Sequence, residues 1–236
     1  MNESVVNKWK KAQESEFDFY RDYLRREGFS RFNIAYKFQF WGFKGFANKS
    51  VLEVGSGIFG PIHSIQDEDA FKVGIDPLLG RLYKGMPWKN VYYARATGEA
   101  LPFAAEKFDV VICYNVLDHV ISAEKVLGEI HRVLKRSGNL LLCVNTHRRM
   151  MRVLTPAVDR VDIRHPYHFE TKDIKPLLEN HAFSIVKVRS LSGFSDVPNS
   201  KYRYWLVKKI VRNAKWRPLL ALFLVPIVYV RARKMP

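Results

Sequence analysis

Short runs of consecutive apolar residues recur along the middle of the chain, separated by segments of mixed character. They are VLEV (51–54), FKVGID (71–76), VYYAR (91–95), FDVVICY (108–114) and NLLLCVN (139–145). A strand with one wet face alternates apolar and polar positions; these runs do not, so they are expected to be buried on both faces, as in a parallel sheet built from βα units. Between the last two runs the period changes. Val126, Leu127, Ile130, Val133 and Leu134 fall on one helical stripe, with Ser122 placed to cap its start and Gly138 just past its end. The pattern predicts an α/β fold. Further on it predicts a short helix near 171–179 and a strand near 183–190. Before the first run, the aromatic-rich segment 1–49 carries Trp9, Ala12, Tyr20 and Leu24 at the spacing of an amphipathic helix, expected to cover one edge of the core or of a ligand site.

Composition narrows the class. With 236 residues, 47% of them hydrophobic, the chain can bury a real core, and its length favours one domain. The polar, charged stretch 1–11 has no apolar run of signal-peptide length, so the expected location is the cytoplasm. Cys113 and Cys143 each sit inside an apolar run and are expected to be buried, reduced thiols.

Charge is unevenly spread. The net charge is +16, and the last 40 residues hold ten Lys or Arg and no Asp or Glu. An anionic partner near the C-terminus follows: lipid head groups, nucleic acid or a phosphorylated substrate, against a merely solvated basic face. The apolar stretch 218–230 is too short to span a bilayer, which takes about 20 residues. Within 191–225, Tyr202, Trp205, Leu206 and Ile210 share a helical face beside Lys208, Lys209, Arg212 and Lys215. That composition suits an interfacial helix on an anionic membrane surface, and equally a lid or a dimer contact.

VLEV runs directly into glycines at 55, 57 and 60, with Pro61 suited to a first helical turn. A strand ending in G-x-G-x-x-G lets backbone amides approach a ligand closely. Asp76 ends the second strand, 21 positions after Gly55, about where a carboxylate accepts hydrogen bonds from ribose hydroxyls. NAD and S-adenosylmethionine fit these features equally. Glu53, two residues before Gly55, would crowd a pyrophosphate but could pair, directly or through water, with the ammonium of a methionine moiety, which favours the sulfonium.

ATGEALPF (96–103), FDVVICYNVLDHV (108–120) and EIHRVLKRSGNLLLCVN (129–145) follow in order. With the glycine loop, they make the chain resemble the class I S-adenosylmethionine-dependent methyltransferases of small-molecule type. The resemblance implies a Rossmann-like, mostly parallel seven-stranded sheet with helices on both faces and an antiparallel last strand, for which IVYVRARK (227–234) is the candidate. It implies a methyltransferase domain over 50–236 with a helical insertion at about 191–225, preceded by an N-terminal helical cap over 1–49. The cofactor implied is S-adenosyl-L-methionine. Glu53, Gly55, Ser56 and Gly57 would line its methionine part, Asp76 would hold the ribose with Pro77 beside the adenine, and Asn115 and Val116 would stand at the mouth. Where the family usually has an Asp for the adenine amine, this chain has Thr97, Gly98 and Glu99. Either Thr97 with nearby backbone or Glu99 would serve instead.

Methyl transfer from a sulfonium is an in-line displacement on an activated carbon, so alignment and desolvation supply much of the catalysis. A hydroxyl acceptor would still profit from a base. His119, beside Asp118, is one candidate; His165, Tyr167 and His168 of HPYHF are the others. His63, after the glycine loop, is expected to pack rather than react. No metal site is expected, since His165 and His168 lack neighbouring cysteines or carboxylates. The absence of N-P-P-[YF] after the fourth strand demotes nucleic acid as a substrate.

The expected function is methyl transfer to a small-molecule or lipid-linked acceptor, a sugar or glycan hydroxyl among the possibilities, by a cytoplasmic enzyme peripheral to the inner membrane face. The rivals are an RNA or protein methyltransferase and a non-catalytic cofactor-binding adaptor at a membrane surface. The sequence does not set the oligomeric state.

Overall fold

The computed structural model describes residues 3–27, 35–82, 90–147, 169–191 and 227–236. His165, Tyr167 and His168, and all of the expected insertion except Leu191, lie outside the described residues.

The elements in order are α1 (Glu3–Glu27), α2 (Phe38–Trp41), β1 (Ser50–Val54), β2 (Phe71–Ile75), α3 (Leu79–Leu82), β3 (Tyr92–Ala94), β4 (Phe108–Tyr114), α4 (Ala123–Val133), β5 (Leu134–His147), β6 (Phe169–Glu170), α5 (Ile174–Glu179), β7 (Phe183–Leu191) and β8 (Ile227–Lys234). The sheet order is β3-β2-β1-β4-β5-β8-β7, with the two-residue β6 pairing beside the end of β5. Strands β1 to β5 pair in parallel. β8 runs antiparallel between β5 and β7, as the sequence led us to expect for 227–234. This is a Rossmann-like sheet, mostly parallel and with an antiparallel strand, as expected.

Apolar residues on both faces of the central strands divide the core with period two. Leu52, Val54, Val111 and Cys113 face one layer with α4 and α5. Val51, Val110 and Ile112 face the other, filled by Phe40, Trp41, Phe43 and Phe46 from the region of α2. Trp41 is completely buried, its ring 5.2 Å from that of Tyr229 and its Nε1 donating to the Leu142 carbonyl at 2.7 Å. An indole so deep in the core needs that polar partner. Both cysteines are buried and unbridged, and burial pushes the Cys113 thiol well up.

Two local expectations change. Ser122 caps α4, its Oγ accepting from the Lys125 amide at 3.3 Å, but the helix stops at Val133 instead of just before Gly138. Leu134 is already extended and pairs with Phe108, so the chain enters β5 four residues before Gly138. The left-handed residue is Ser137 (φ 59°). Gly138 is needed for space, because a Cβ there would lie 2.9 Å from the Lys135 carbonyl. After the glycine loop, the expected helix is a single 3₁₀ turn, Pro61–Ser64, that ends in extended Ile65.

Candidate functional site

The C-terminal ends of β1, β2 and β4 open into one cavity of about 510 Å³. That volume suits a cofactor-sized ligand. In an open α/β sheet this is where ligands bind, outside the strand ends at the switch in strand order, and here β1 is flanked by β2 on one side and β4 on the other.

The loop after β1 forms one wall. Gly55 has φ +68°, and a Cβ there would fall 2.3 Å from Val116 Cγ2. Glycine is required both by the left-handed backbone and by the close approach of the loop after β4. Gly57 (φ +47°) donates its amide to Asp76 Oδ2 at 3.1 Å, and the Leu78 amide donates to Oδ1 at 2.8 Å. Burial nonetheless prevails over these two bonds and raises the Asp76 carboxyl to about 6, with nearby Glu16 adding to the rise. A carboxylate has about four acceptor sites. Two amides leave room for a ligand's hydroxyls.

Glu53 is placed differently from the sequence reading. Its side chain is fully buried beneath the loop, where Oε2 accepts from the Ile62 amide at 2.8 Å and a Cβ on Gly60 would lie 2.5 Å away. Burial holds its carboxyl well above the usual range. Glu53 therefore fixes the shape of the loop from behind, and it does not stand in the cavity wall.

Ser56, Asp76, Pro77, Thr97, Gly98, Asn115, Val116 and His119 all line the cavity with Gly55. Glu99 lines it too, but its Oε1 accepts from the amides of Ile121 and Ser122, at 2.7 and 3.3 Å. A carboxylate there stabilises the start of α4. That competes with the contact to an adenine amine that the sequence left open for Glu99. His119 ends a 3₁₀ turn (Leu117–His119), its Nε2 3.9 Å from Asp118 Oδ1, and Asp118 Oδ2 accepts from Asn145 Nδ2 at 3.4 Å. His63 lies outside the cavity, its Nδ1 3.1 Å from the Tyr93 hydroxyl, with burial lowering it to about 3.

The remaining wall is aromatic and comes mainly from α1. Trp9, Gln13, Glu16, Phe19, Tyr20 and Tyr23 face the cavity, so the amphipathic helix covers the ligand site. Tyr20 and Tyr23 pack on Phe59 with ring centroids 6.1 and 5.0 Å away, and Arg81 ties α1 to α3 through Glu14 at 2.7 Å. Tyr36, Lys37 and Tyr114 make a further corner, where Lys37 Nζ donates to the Tyr114 hydroxyl. Apart from Trp9 and Tyr20, none of these was singled out from the sequence. The signal available was the density of aromatics over 17–41, which periodicity alone could not assign to a face.

Residues 52–142 match the model of a family described as a methyltransferase domain. The chain is 37% identical over 54 residues to the uncharacterized methyltransferase YcgJ of Bacillus subtilis, covering 23% of this chain and 21% of that one. It is 34% identical over 102 residues to a ubiquinone biosynthesis O-methyltransferase of Pseudomonas fluorescens, covering 41% and 44%. It thus spans less than half the length of these curated relatives. In fold, it superposes on the crystal structure of YcgJ with a TM-score of 0.63 at 14% identity, over 86% of this chain and 98% of that one. A Haemonchus contortus phosphoethanolamine N-methyltransferase, solved in complex with S-adenosyl-L-methionine, gives 0.59 at 17% identity, over 92% and 60%.

Proposed function

The chain belongs to the class I S-adenosylmethionine-dependent methyltransferases, and from that premise we infer that it transfers a methyl group from S-adenosylmethionine to a small-molecule acceptor. The observation that carries this reading is the joint between the glycine loop and Asp76 at the floor of a 510 Å³ cavity. The donor would supply a methyl group already activated on a sulfonium. Asp76 would hold its ribose hydroxyls, Gly55 and Ser56 its methionine end, Pro77, Thr97 and Gly98 its adenine side, and Asn115 and Val116 the mouth. The donor set fits chemically. Glu16, Asp76 and Glu99 give this wall a negative field, suited to a ligand bearing a sulfonium and an ammonium.

What the chain itself contributes is alignment and exclusion of water. The loop after β1 meets the segment after β4 where Val116 closes on Gly55, and the rings on α1 cover the space above. His119 stands in the same wall and is our candidate to take a proton from a protic acceptor. We propose, further, that segment 1–49 serves as the cap, 50–236 as the catalytic domain, and the basic C-terminal region as a contact for anionic surfaces, a lipid-linked acceptor included. Among the described residues no helix is long and apolar enough to cross a membrane.

The test is release of S-adenosylhomocysteine from S-adenosylmethionine on addition of an acceptor panel. Turnover above the acceptor-free rate is expected for an apolar-bodied small molecule. Donor binding without turnover for any acceptor would instead favour the adaptor.

A further inference from the structure

The outer strands of the sheet carry charge of one sign. β7 ends the sheet with β8 beside it, and residues 35–49, 183–191 and 227–236 contain no Asp or Glu. In register, Lys187 lies opposite Arg231 and Arg189 opposite Tyr229, so Lys187, Arg189, Arg231 and, two residues on, Arg233 point to the face that α2 covers. Arg231 Nη1 donates to the Gly42 carbonyl at 2.7 Å, and a Cβ on Gly42 would lie 2.7 Å from Lys187 Nζ. The Arg189 guanidinium rests 4.8 Å from the centroid of the Phe40 ring. Three cations thus surround one turn of chain.

Like charges directly opposite each other on paired strands are destabilising. Among the described residues, none of the four has a carboxylate partner to offset that cost. The carboxylates that approach β8 and the loop after α2 are engaged otherwise: Glu106 by Lys234 and Arg136, and Asp67 by the Phe46 amide. Lys187, Arg189 and Arg233 are exposed, and Arg231 is half-buried. A charged edge strand can serve to prevent strand pairing, but that needs no second row of cations on the inner strand. Two adjacent rows complement an anionic surface.

Two observations select lipid over nucleic acid. Phe40, Trp41, Phe43, Phe46 and Tyr229, the rings beside the cluster, are buried and offer no face on which a base could stack. Val186 and Val188, on the same edge strand, are 42% and 53% exposed, and apolar surface beside Lys and Arg suits the interface of a bilayer. The cluster also adjoins the cavity, since Lys37 lines the cavity and Phe40, beneath Arg189, lies three residues on.

We propose that Lys187, Arg189, Arg231 and Arg233 form a docking surface for anionic lipid head groups, which holds the β7 edge of the sheet against a membrane beside the cavity. This rests on the contact for anionic surfaces inferred above and places it on the sheet itself.

The experiment is co-sedimentation of the full chain with vesicles of phosphatidylcholine, and with vesicles in which phosphatidylglycerol replaces part of it. Binding to the anionic vesicles alone, weakened by salt, is expected. Lys187→Gln combined with Arg189→Gln should weaken it about thirtyfold, roughly fivefold for each charge removed from the surface, in a protein that still melts cooperatively. Lys187→Arg combined with Arg189→Lys keeps both charges and should bind within about twofold of the unsubstituted chain. Lys125→Gln combined with Lys175→Gln removes the same net charge from α4 and α5, on the opposite layer, and should also stay within about twofold. Equal loss in this last pair, or none in the first, overturns this proposal alone. So does binding of a single-stranded RNA oligomer that the first pair abolishes while vesicle binding persists. Failure of the unsubstituted chain to bind anionic vesicles overturns the surface contact inferred above and this proposal with it.

Discussion

The amide of Gly57 donates to Asp76 Oδ2 at 3.1 Å, so the loop that leaves β1 is tied to the residue that follows β2. One carboxylate thus shapes the loop and faces the cavity. Its protonation state should control both stability and ligand affinity.

Asp76 is raised from its ordinary 3.8 to about 6, chiefly by burial. A group whose folded value is raised contributes stability below its unfolded value and loses it as pH rises through the folded one. Relative to Asp76→Asn, the ligand-free protein should therefore lose stability between pH 4 and 6, followed by urea denaturation. Ligand hydroxyls favour the ionised form. Affinity for S-adenosylhomocysteine should accordingly rise as pH passes about 6 and level off above it, and Asp76→Asn should flatten that profile.

Gly55→Ala puts a methyl group 2.3 Å from Val116 Cγ2 on a backbone at φ +68°. The left-handed strain alone is worth roughly 1–3 kcal/mol. Adding Val116→Ala should relieve the clash but leave the strain, so the double variant should recover only part of the lost melting temperature and of the donor affinity.

Glu53→Ala should cost roughly 1–3 kcal/mol, because it leaves the buried Ile62 amide without its acceptor. Glu53→Gln keeps a carbonyl oxygen for that amide and should cost less. Denaturation midpoints of the two variants check the order. A larger loss for Gln than for Ala would refute the buttressing role.

How far such features could be read from the sequence depended on how local they are. Strands β1, β2, β4 and β5 were legible because both faces are buried and their residues are continuously apolar. The EALPF segment was recognisable, but its role was not. Leu101 and Phe103 offer their carbonyls to Arg132, at 3.0 and 2.7 Å, and Glu129 takes the Leu101 amide at 2.7 Å. Two familiar motifs are thereby stapled to each other as scaffold. Glu53 was expected at the ligand, yet it serves a backbone amide behind the loop, and Glu99, the alternative to Thr97, lines the cavity while also accepting from two amides, since an acidic residue in a motif does not disclose which amides the fold will bring to it. Lys37 was overlooked altogether. Its partner Tyr114 lies 77 positions away, beyond any periodic pattern.

His119 lines the cavity and was among the catalytic candidates from the start. If it receives the acceptor's proton, His119→Gln should lower turnover by about a hundredfold, within the usual range for a general base, while leaving affinity for S-adenosylhomocysteine within about twofold. Unchanged turnover would reduce it to a wall residue.

The most direct measurement is calorimetric titration of the full chain with S-adenosylhomocysteine, repeated on Asp76→Ala and with NAD as control. The donor site predicts saturable one-to-one binding, weakened at least about tenfold by the substitution as hydrogen bonds to a charged group are lost, and no binding of NAD. No binding of S-adenosylhomocysteine, or a preference for NAD, would contradict it.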